Sequence, residues 1–286
     1  MMNQGKEKLA KIIFLIAACT SVAAVIVICV FLFSEGLPAI AQIGVKDFLL
    51  GMTWRPGNNI FGIFPMIIGS LMVTATALVI GVPIGILCAV YLAFYCPKTI
   101  YTPVKAMTEL MAGIPSVVYG FFGLVVMVPL IREHLGGQGY SVLAAGLLLG
   151  IMILPTIIGV SEAAMAAVPK KYAEGALALG ATKERSLFFA ALPAAKSGIL
   201  AGVVLGIGRA LGETMAVVMV AGNQPTIPDG LLDGVRTLTS NIILEMGYAT
   251  DLHREALIAT GVVLFIFILI INFVFSILKE RGNHEK

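Results

Sequence analysis

Six long apolar runs, nearly free of charged residues, constrain this chain more than any other feature. A helix needs about 20 predominantly apolar residues to cross a membrane, and each run meets that length. The predicted spans are residues 12–34, 66–95, 110–131, 142–168, 197–222 and 256–278. Only 12% of the residues are charged and 59% are hydrophobic, which excludes a soluble globular enzyme and a disordered chain. We therefore predict an all-α integral membrane protein in which residues 1–286 form a single domain.

The distribution of Lys and Arg predicts which ends of these helices face the cytoplasm. Six spans place both termini on the same side. Thirteen basic residues lie on that side: Lys6, Lys8, Lys11, Lys98, Lys105, Lys170, Lys171, Lys183, Arg185, Lys196, Lys279, Arg281 and Lys286. Five lie on the other side: Lys46, Arg55, Arg132, Arg236 and Arg254. Both termini are therefore expected in the cytoplasm.

Other sequence features exclude several alternative classes. The basic N-terminus and the apolar run after it are similar to a signal peptide, but the run is too long and lacks a small-x-small cleavage site. We interpret residues 12–34 as a retained helix. The four cysteines have no metal-ligand spacing, so we predict no metal site, cofactor or disulfide framework and interpret them as packing residues. A net charge of +3 is too small to indicate a nucleic-acid partner.

The predicted cytoplasmic loop at residues 169–196 is long, basic and rich in alanine. Pro169 suits a helix start and Gly180 a helix stop. Thr182 can cap a second short helix, which Pro193 is expected to end. We therefore predict a helix-turn-helix. Two interpretations remain open from composition alone: an amphipathic segment lying on the anionic inner leaflet, or a docking element for a cytoplasmic protein.

Two glycines in this loop have the first spacing of a phosphate-binding loop. Gly175 and Gly180 are separated by four residues, but Ala181 stands where that motif requires lysine. No ATP site is therefore predicted in this chain, and we do not expect it to be an enzyme.

The same loop resembles the EAA loop of ABC-importer permeases, whose pattern is E-A-A-x3-G-x9-I-x-L-P. The matching residues are Glu174, Ala176, Gly180, Leu192 and Pro193. Gly175 replaces an alanine and Ala190 an isoleucine of the family pattern. The resemblance implies that Glu174 to Pro193 form coupling helices that dock into an ATPase subunit, and it favours the docking interpretation.

Two charges, Arg209 and Glu213, interrupt the fifth predicted span. Their i, i+4 spacing places them on one face of a continuous helix. A charge at membrane depth is costly and usually faces a partner or an aqueous path. One interpretation is a self-neutralised pair that fixes helix packing. The other is an anion site, because the planar guanidinium of Arg209 matches the oxygens of an oxyanion.

The third predicted span contains further residues that could line such an anion site. Pro115 removes a helix hydrogen bond and frees a backbone carbonyl. Ser116 and Tyr119 could donate to an anion or satisfy that backbone. A simple kink at a packing position is the alternative.

Two segments make the resemblance more specific. GIPSVVYG at residues 113–120 and GRALGETMAV at residues 208–217 resemble the phosphate-specific (Pst) ABC-importer permeases, in particular the PstC-type subunit. The resemblance implies the type I importer (MetI-like) fold with six transmembrane helices in a bacterial inner membrane. It implies a substrate pathway for phosphate at Arg209, Glu213, Thr214, Ser116 and Tyr119.

The implied partners are a sister permease (PstA-like), two ATPase subunits (PstB-like) and an outside phosphate-binding protein (PstS-like), with lipid around the helices. Three alternatives stay open: a permease for another oxyanion such as phosphonate or sulfate, an ion-coupled secondary carrier, and a membrane enzyme. No nucleophile–base set or cofactor motif in the sequence supports the enzyme.

Overall fold

Helices dominate the structure. The computed structural model describes the backbone of residues 4–284 and the side chains of residues 7–277. Lys286, used in the orientation prediction, lies outside the described residues, as do the side chains of Lys6, Lys279 and Arg281. The helices are α1 (Gln4–Ile43), α2 (Val45–Leu50), α3 (Phe64–Val90), α4 (Lys98–Gly113), α5 (Ser116–Phe122), α6 (Val128–Leu135), α7 (Val142–Ala166), α8 (Lys171–Ala178), α9 (Lys183–Ser186), α10 (Leu192–Gly212), α11 (Met215–Val220), α12 (Leu238–Glu245) and α13 (Asp251–His284). A short antiparallel hairpin pairs β1 (Trp54–Arg55) with β2 (Ile60–Phe61).

The six membrane-spanning helices predicted from the sequence are confirmed. Within residues 4–284, six helical segments are long and apolar enough to cross a membrane: Glu7–Ile43, Phe64–Tyr95, Ser116–Leu135, Val142–Ala166, Lys183–Gly212 and Asp251–Ile277. A π-helical turn at Tyr91–Tyr95 extends α3, and π turns at Gly123–Met127 and Leu187–Ala191 join α5 to α6 and α9 to α10. We call the end of the bundle that carries α8 and α9 the basic end, and the end that carries the β1–β2 hairpin, α2 and α12 the hairpin end.

The third membrane helix begins later than the predicted span 110–131. Residues 110–113 belong to α4, and α5 begins at Ser116. Ile114 and Pro115 between them are extended, with ψ angles of 126° and 141°. Pro115 explains the interruption, because its ring disfavours a helical conformation in the preceding residue and it has no N–H to donate. The helix is therefore fully interrupted at Pro115. The simple kink that the sequence also allowed is not what the structure shows.

The predicted helix-turn-helix is present at the basic end. Gly180 follows α8 with a φ of 87°, a left-handed conformation that glycine adopts at little cost. The Thr182 hydroxyl accepts a hydrogen bond from the Arg185 N–H at 3.3 Å, so the predicted cap is formed. The Ser186 hydroxyl donates to the Ala173 carbonyl at 2.7 Å and ties the two short helices together.

The prediction that Pro193 ends the second short helix is wrong. α9, a π turn and α10 run without interruption from Lys183 to Gly212. Pro193 lies in the first turn of α10, directly after the π turn at Leu187–Ala191. A π turn changes the hydrogen-bond register, and proline is tolerated where its missing N–H is not needed. The loop is therefore built into the fifth membrane helix.

Helix α7 lies at the centre of the bundle and packs between α3 and α10. Its side chains Leu148, Leu149 and Ile153 are almost fully buried. Glycines permit a close approach of α3: a Cβ added at Gly81 would lie 2.8 Å from the Gly150 carbonyl oxygen. Small residues at such contacts are typical of helix pairs inside membranes.

Adding one methyl group at this contact should destabilise the protein. In Gly81→Ala the new Cβ must displace the α7 backbone, and overpacking of this kind costs about 1–3 kcal/mol. Gly159→Ala is the matched control in α7, because a Cβ there meets no heavy atom within 4 Å in the described structure. Alanine favours helix over glycine by up to about 1 kcal/mol, so the control should be neutral or slightly stabilising. Thermal unfolding in detergent measures both, and equal effects would contradict the packing argument.

Helix α1 packs along α13 and leaves most of its own surface exposed. A Cβ at Gly36 would lie 2.5 Å from a Val262 methyl, and the Phe33 and Phe265 rings meet edge to face at 5.9 Å. Exposed apolar side chains such as Phe14 line the rest of the helix. A helix whose central segment is apolar on every side and makes so little protein contact fits a lipid environment.

A buried ion cluster holds the hairpin end together. Glu245 at the end of α12 accepts hydrogen bonds from Trp54 Nε1 at 2.8 Å and Arg236 Nη1 at 2.6 Å. His253 Nε2 lies 2.9 Å from Glu245 Oε2, the oxygen that also accepts from Trp54. Burial alone would raise the pKa of Glu245, but these three partners outweigh burial and lower the pKa below its ordinary value. The cluster links the hairpin, α12 and the start of α13.

Candidate functional site

Two helix breaks lie beside each other in the bundle. The first separates α4 from α5, and the second separates α10 from α11. The short helices that follow the breaks pack closely, because a Cβ added at Gly120 of α5 would lie 3.0 Å from the Ala216 Cα of α11. The structure thus brings together the two segments, residues 113–120 and 208–217, that the sequence singled out.

The second break corrects the helical pairing predicted for Arg209 and Glu213. α10 ends at Gly212, and Glu213 is extended with φ −69° and ψ 134°. The two residues are therefore not one turn apart on a continuous helix. Glycines at Gly208 and Gly212 lower the helical propensity at this point. Among the residues whose side chains the structure describes, Arg209 and Glu213 form no salt bridge.

Arg209 contacts a hydroxyl instead of a carboxylate. Its Nη1 lies 3.4 Å from Thr156 Oγ1 of α7, a distance at the weak limit for a hydrogen bond. The side chain is half-buried in the last turn of α10. Its guanidinium carries five donors, so most of its donor capacity is not used by this contact.

Glu213 and Thr214 stabilise the break itself. The Glu213 carboxylate accepts a hydrogen bond from the Ala216 N–H at 3.3 Å and so caps α11. Its carbonyl accepts from the Thr239 hydroxyl at 2.9 Å. The Thr214 hydroxyl donates to the Gly212 carbonyl at 3.3 Å. Both residues are half-buried, and each has a local structural partner.

The Tyr119 hydroxyl satisfies the backbone carbonyl that loses its helical N–H partner at Pro115. The hydroxyl donates to the Met111 carbonyl at 2.9 Å, and Met111 is the residue whose carbonyl would bond to position 115 in an unbroken helix. The sequence left two roles open for this hydroxyl, donation to an anion or to the freed backbone. The structure shows donation to the backbone. Ser116 is half-buried at the start of α5, next to the same break.

The sequence reasoning missed Thr156 and Thr239, the partners of Arg209 and Glu213. Thr156 follows Pro155 inside an apolar span, and a hydroxyl there could have been noted as a polar group at membrane depth. Thr239 is 26 residues away from Glu213 along the chain and lies in the first turn of α12, so its contact had no local signal.

The loop residues that match the EAA pattern lie at the surface of the basic end. Glu174, Gly175 and Gly180 are exposed, and Ala176 is half-buried. Leu192 packs beside a small buried cluster that contains Met165 and Ala195, and Pro193 is exposed. These residues therefore extend from the exposed helices α8 and α9 to the first turn of α10.

Three exposed apolar side chains lie within the loop at residues 169–196 and were not predicted as docking residues. Leu179 is 91% exposed, and Phe188 and Phe189 lie exposed on the π turn. Phe188 and Phe189 are neighbours in sequence, and a contiguous exposed apolar patch marks a protein or membrane contact site. Phe188 and Phe189 follow Leu187 in a short apolar run of the sequence, and that run was the available signal.

Comparison with known proteins defines the class of this molecule. Residues 81–282 match the family described as binding-protein-dependent transport system inner membrane component, and the chain belongs to this family of multi-pass membrane permeases. Members of the family are permease components and not enzymes.

Individual relatives have narrower descriptions than the family as a whole. The chain is 38% identical over 285 residues to the probable ABC transporter permease protein YqgH of Bacillus subtilis (strain 168), covering 96% of this chain and 92% of the relative. It is 34% identical to the phosphate transport system permease protein PstC of Pasteurella multocida (strain Pm70), covering 82% and 80%. The probable phosphate transport system permease protein PstC of Methanocaldococcus jannaschii is 32% identical, covering 85% and 84%.

Solved structures agree on the fold. A chain of the MetNI methionine ABC transporter in an inward-facing conformation superimposes with a TM-score of 0.61 at 20% identity, covering 80% of this chain and 99% of that chain. A chain of a bacterial ABC transporter that imports the acidic polysaccharide alginate gives a TM-score of 0.63 at 15% identity, covering 98% and 99%. The predicted type I importer fold is thereby confirmed.

Proposed function

We propose that this chain is one of two permease subunits of an ATP-driven phosphate importer. The observation that carries the proposal is Arg209, a half-buried guanidinium within a membrane helix whose contact in the described structure is one weak hydrogen bond to Thr156. A charge at membrane depth costs about 2.5–3.5 kcal/mol or more, and Arg209 forms no salt bridge with a carboxylate among the described side chains. An anion that passes through the bundle supplies the missing partner.

The chemistry of Arg209 fits an oxyanion. The guanidinium presents parallel N–H donors that match two phosphate oxygens. Phosphate carries about one to two negative charges near neutral pH, so its passage out of water needs a compensating cation. The relatives described as phosphate transport permeases in Pasteurella multocida and Methanocaldococcus jannaschii support phosphate as that oxyanion.

The remaining pathway residues have supporting roles in this proposal. Glu213 and Thr214 hold the break beside Arg209 in shape, and Glu213 keeps an anion from binding too tightly by offsetting the positive charge. Ser116 is placed to donate a hydrogen bond at the neighbouring break. Tyr119 fixes that break through the Met111 carbonyl.

The exposed loop at the basic end is the proposed contact with the ATPase. Glu174, Gly175, Ala176 and Gly180 form its tip, and Leu192 and Pro193 connect it to α10. ATP-driven closure of two ATPase subunits (PstB-like) would push on this tip and thereby move the fifth membrane helix. The other proposed partners are a sister permease (PstA-like) and an outside phosphate-binding protein (PstS-like), which delivers phosphate at the hairpin end.

The proposed location is a bacterial inner membrane with both termini in the cytoplasm. Lys170, Lys171 and Lys183 lie at the basic end with Lys98, where the positive-inside rule places the cytoplasm. The hairpin end, which holds Arg236 in an ion pair with Glu245, then faces outward.

The reconstituted complex tests this function. Vesicles that contain this chain, the sister permease and the ATPase should accumulate radiolabelled phosphate when the binding protein is outside and ATP is inside. Sulfate and phosphonate serve as competing oxyanions, and vesicles without the ATPase serve as the control. Preference for sulfate or phosphonate would contradict the substrate, and gradient-driven uptake without the ATPase would indicate a secondary carrier.

A further inference from the structure

A buried carboxylate near the end of α7 has no role in the pathway described above. Glu162 is 5% exposed and lies four residues before the end of α7 at Ala166. The Tyr101 hydroxyl donates to Glu162 Oε1 at 2.5 Å, and Lys105 Nζ forms an ion pair with Oε2. A buried carboxylate is retained where it is paired and hydrogen-bonded, and here both partners come from the same helix.

Tyr101 and Lys105 lie one turn apart on α4, so they present their polar groups on the same face. α4 packs chiefly against α7 and buries a single residue within its own length, Thr108. Apolar packing therefore contributes little to the attachment of α4. The cluster of Glu162, Tyr101 and Lys105, which we call the α4–α7 joint, is the main polar attachment between these helices.

The joint stands between the two functional parts of the chain. On one side, α7 leads within five residues into α8 and the exposed docking loop. On the other side, α4 leads to the break before Ser116, and its Met111 carbonyl holds the Tyr119 hydroxyl. A displacement of the loop that moves the end of α7 is thus passed to the wall of the pathway through Glu162.

We propose that Glu162, Lys105 and Tyr101 are positioning residues that make the α4–α5 break move with the docking loop. This inference rests on the proposed function, because it assigns the joint to the coupling between ATP hydrolysis and phosphate passage. Without the joint, the ATPase can still dock and turn over, but α4 no longer follows α7.

The ratio of phosphate transported to ATP hydrolysed tests the joint. In vesicles with the complete complex, Glu162→Gln keeps the shape of the side chain and removes its charge. ATP hydrolysis stimulated by the loaded binding protein should stay within about twofold of wild type, while radiolabelled phosphate uptake falls about tenfold, within the usual range of coupling effects. Glu7→Gln is the control for loss of a carboxylate: Glu7 is exposed in α1 and pairs with Lys11 of the same helix, so it should leave the ratio unchanged.

Tyr101→Phe provides the second variant. It removes the hydrogen bond to Glu162 and keeps both the ring and the ion pair with Lys105, so it is tolerated even where Glu162→Gln fails to assemble, and it should lower the same ratio. Co-purification of the ATPase measures assembly in each case. Uptake and hydrolysis that fall in parallel in assembled complexes, or a ratio equal to wild type, would overturn the joint. A wild-type complex without ATP-driven phosphate uptake would overturn the proposed function instead.

Discussion

Arg209→Gln is expected to abolish ATP-driven phosphate uptake and to leave assembly of the complex intact. Glutamine keeps a donor near Thr156 but loses the positive charge and the paired donors of the guanidinium. Loss of one partner of a desolvated charged hydrogen bond costs about 2–5 kcal/mol, which is enough to lower uptake about 30-fold or more. Since Arg209 has no salt bridge to another described side chain, its removal leaves no unpaired carboxylate to disturb the fold.

Two further variants separate charge from geometry. Arg209→Lys keeps a positive charge but replaces the planar guanidinium, with its paired donors, by a compact ammonium group. Uptake by this variant equal to that of the wild type would mean that charge alone is sufficient. Arg132→Gln is the control for loss of an arginine, because Arg132 is exposed in α6 and away from the breaks. Normal uptake by Arg209→Gln, measured with radiolabelled phosphate in assembled complexes, would contradict the role given to this residue.

Leu179→Asp should disconnect the ATPase from this chain. Leu179 is 91% exposed at the turn between α8 and α9, so an aspartate there does not disturb the chain's own packing. At the centre of an interface a carboxylate would be desolvated without a partner, and buried anchors of this kind contribute about 2 kcal/mol or more. Co-purification with the ATPase should therefore fall about 30-fold, and uptake should fall with it.

Leu179→Met keeps the apolar surface and should bind the ATPase as the wild type does. Thermal unfolding of the isolated permease should be equal in both variants. Undiminished ATPase binding by Leu179→Asp would place the docking surface elsewhere on the basic end.

The membrane helices were predictable because their signal is local and strong. A run of apolar residues near 20 in length has few folded alternatives in a membrane, and all six predicted spans contain a described helix. The turn chemistry of the loop at residues 169–196 was equally local: Gly180 supplies a left-handed residue and Thr182 a cap. Each of these features depends on a few adjacent residues.

The details of the site depended on contacts that no short window contains. The Arg209–Glu213 pairing failed because the helix ends at Gly212, and tertiary contacts from Thr156 and Thr239 hold the resulting geometry. Thr156 is 53 residues from Arg209 along the chain. Glu162 was inside a predicted span and carried a charge, yet its partners on α4 could be identified only after the helices were packed.

The break at Gly212 has an electrical consequence. Arg209 belongs to α10, whereas the Glu213 carboxylate accepts a hydrogen bond from the first turn of α11, so the two charges are held by separate helices on either side of a break. In the importer that we propose, a change in the angle between α10 and α11 would alter the distance between these charges, and the electrostatic potential near Arg209 would change with it. The shape of the proposed anion route and its charge would then change together.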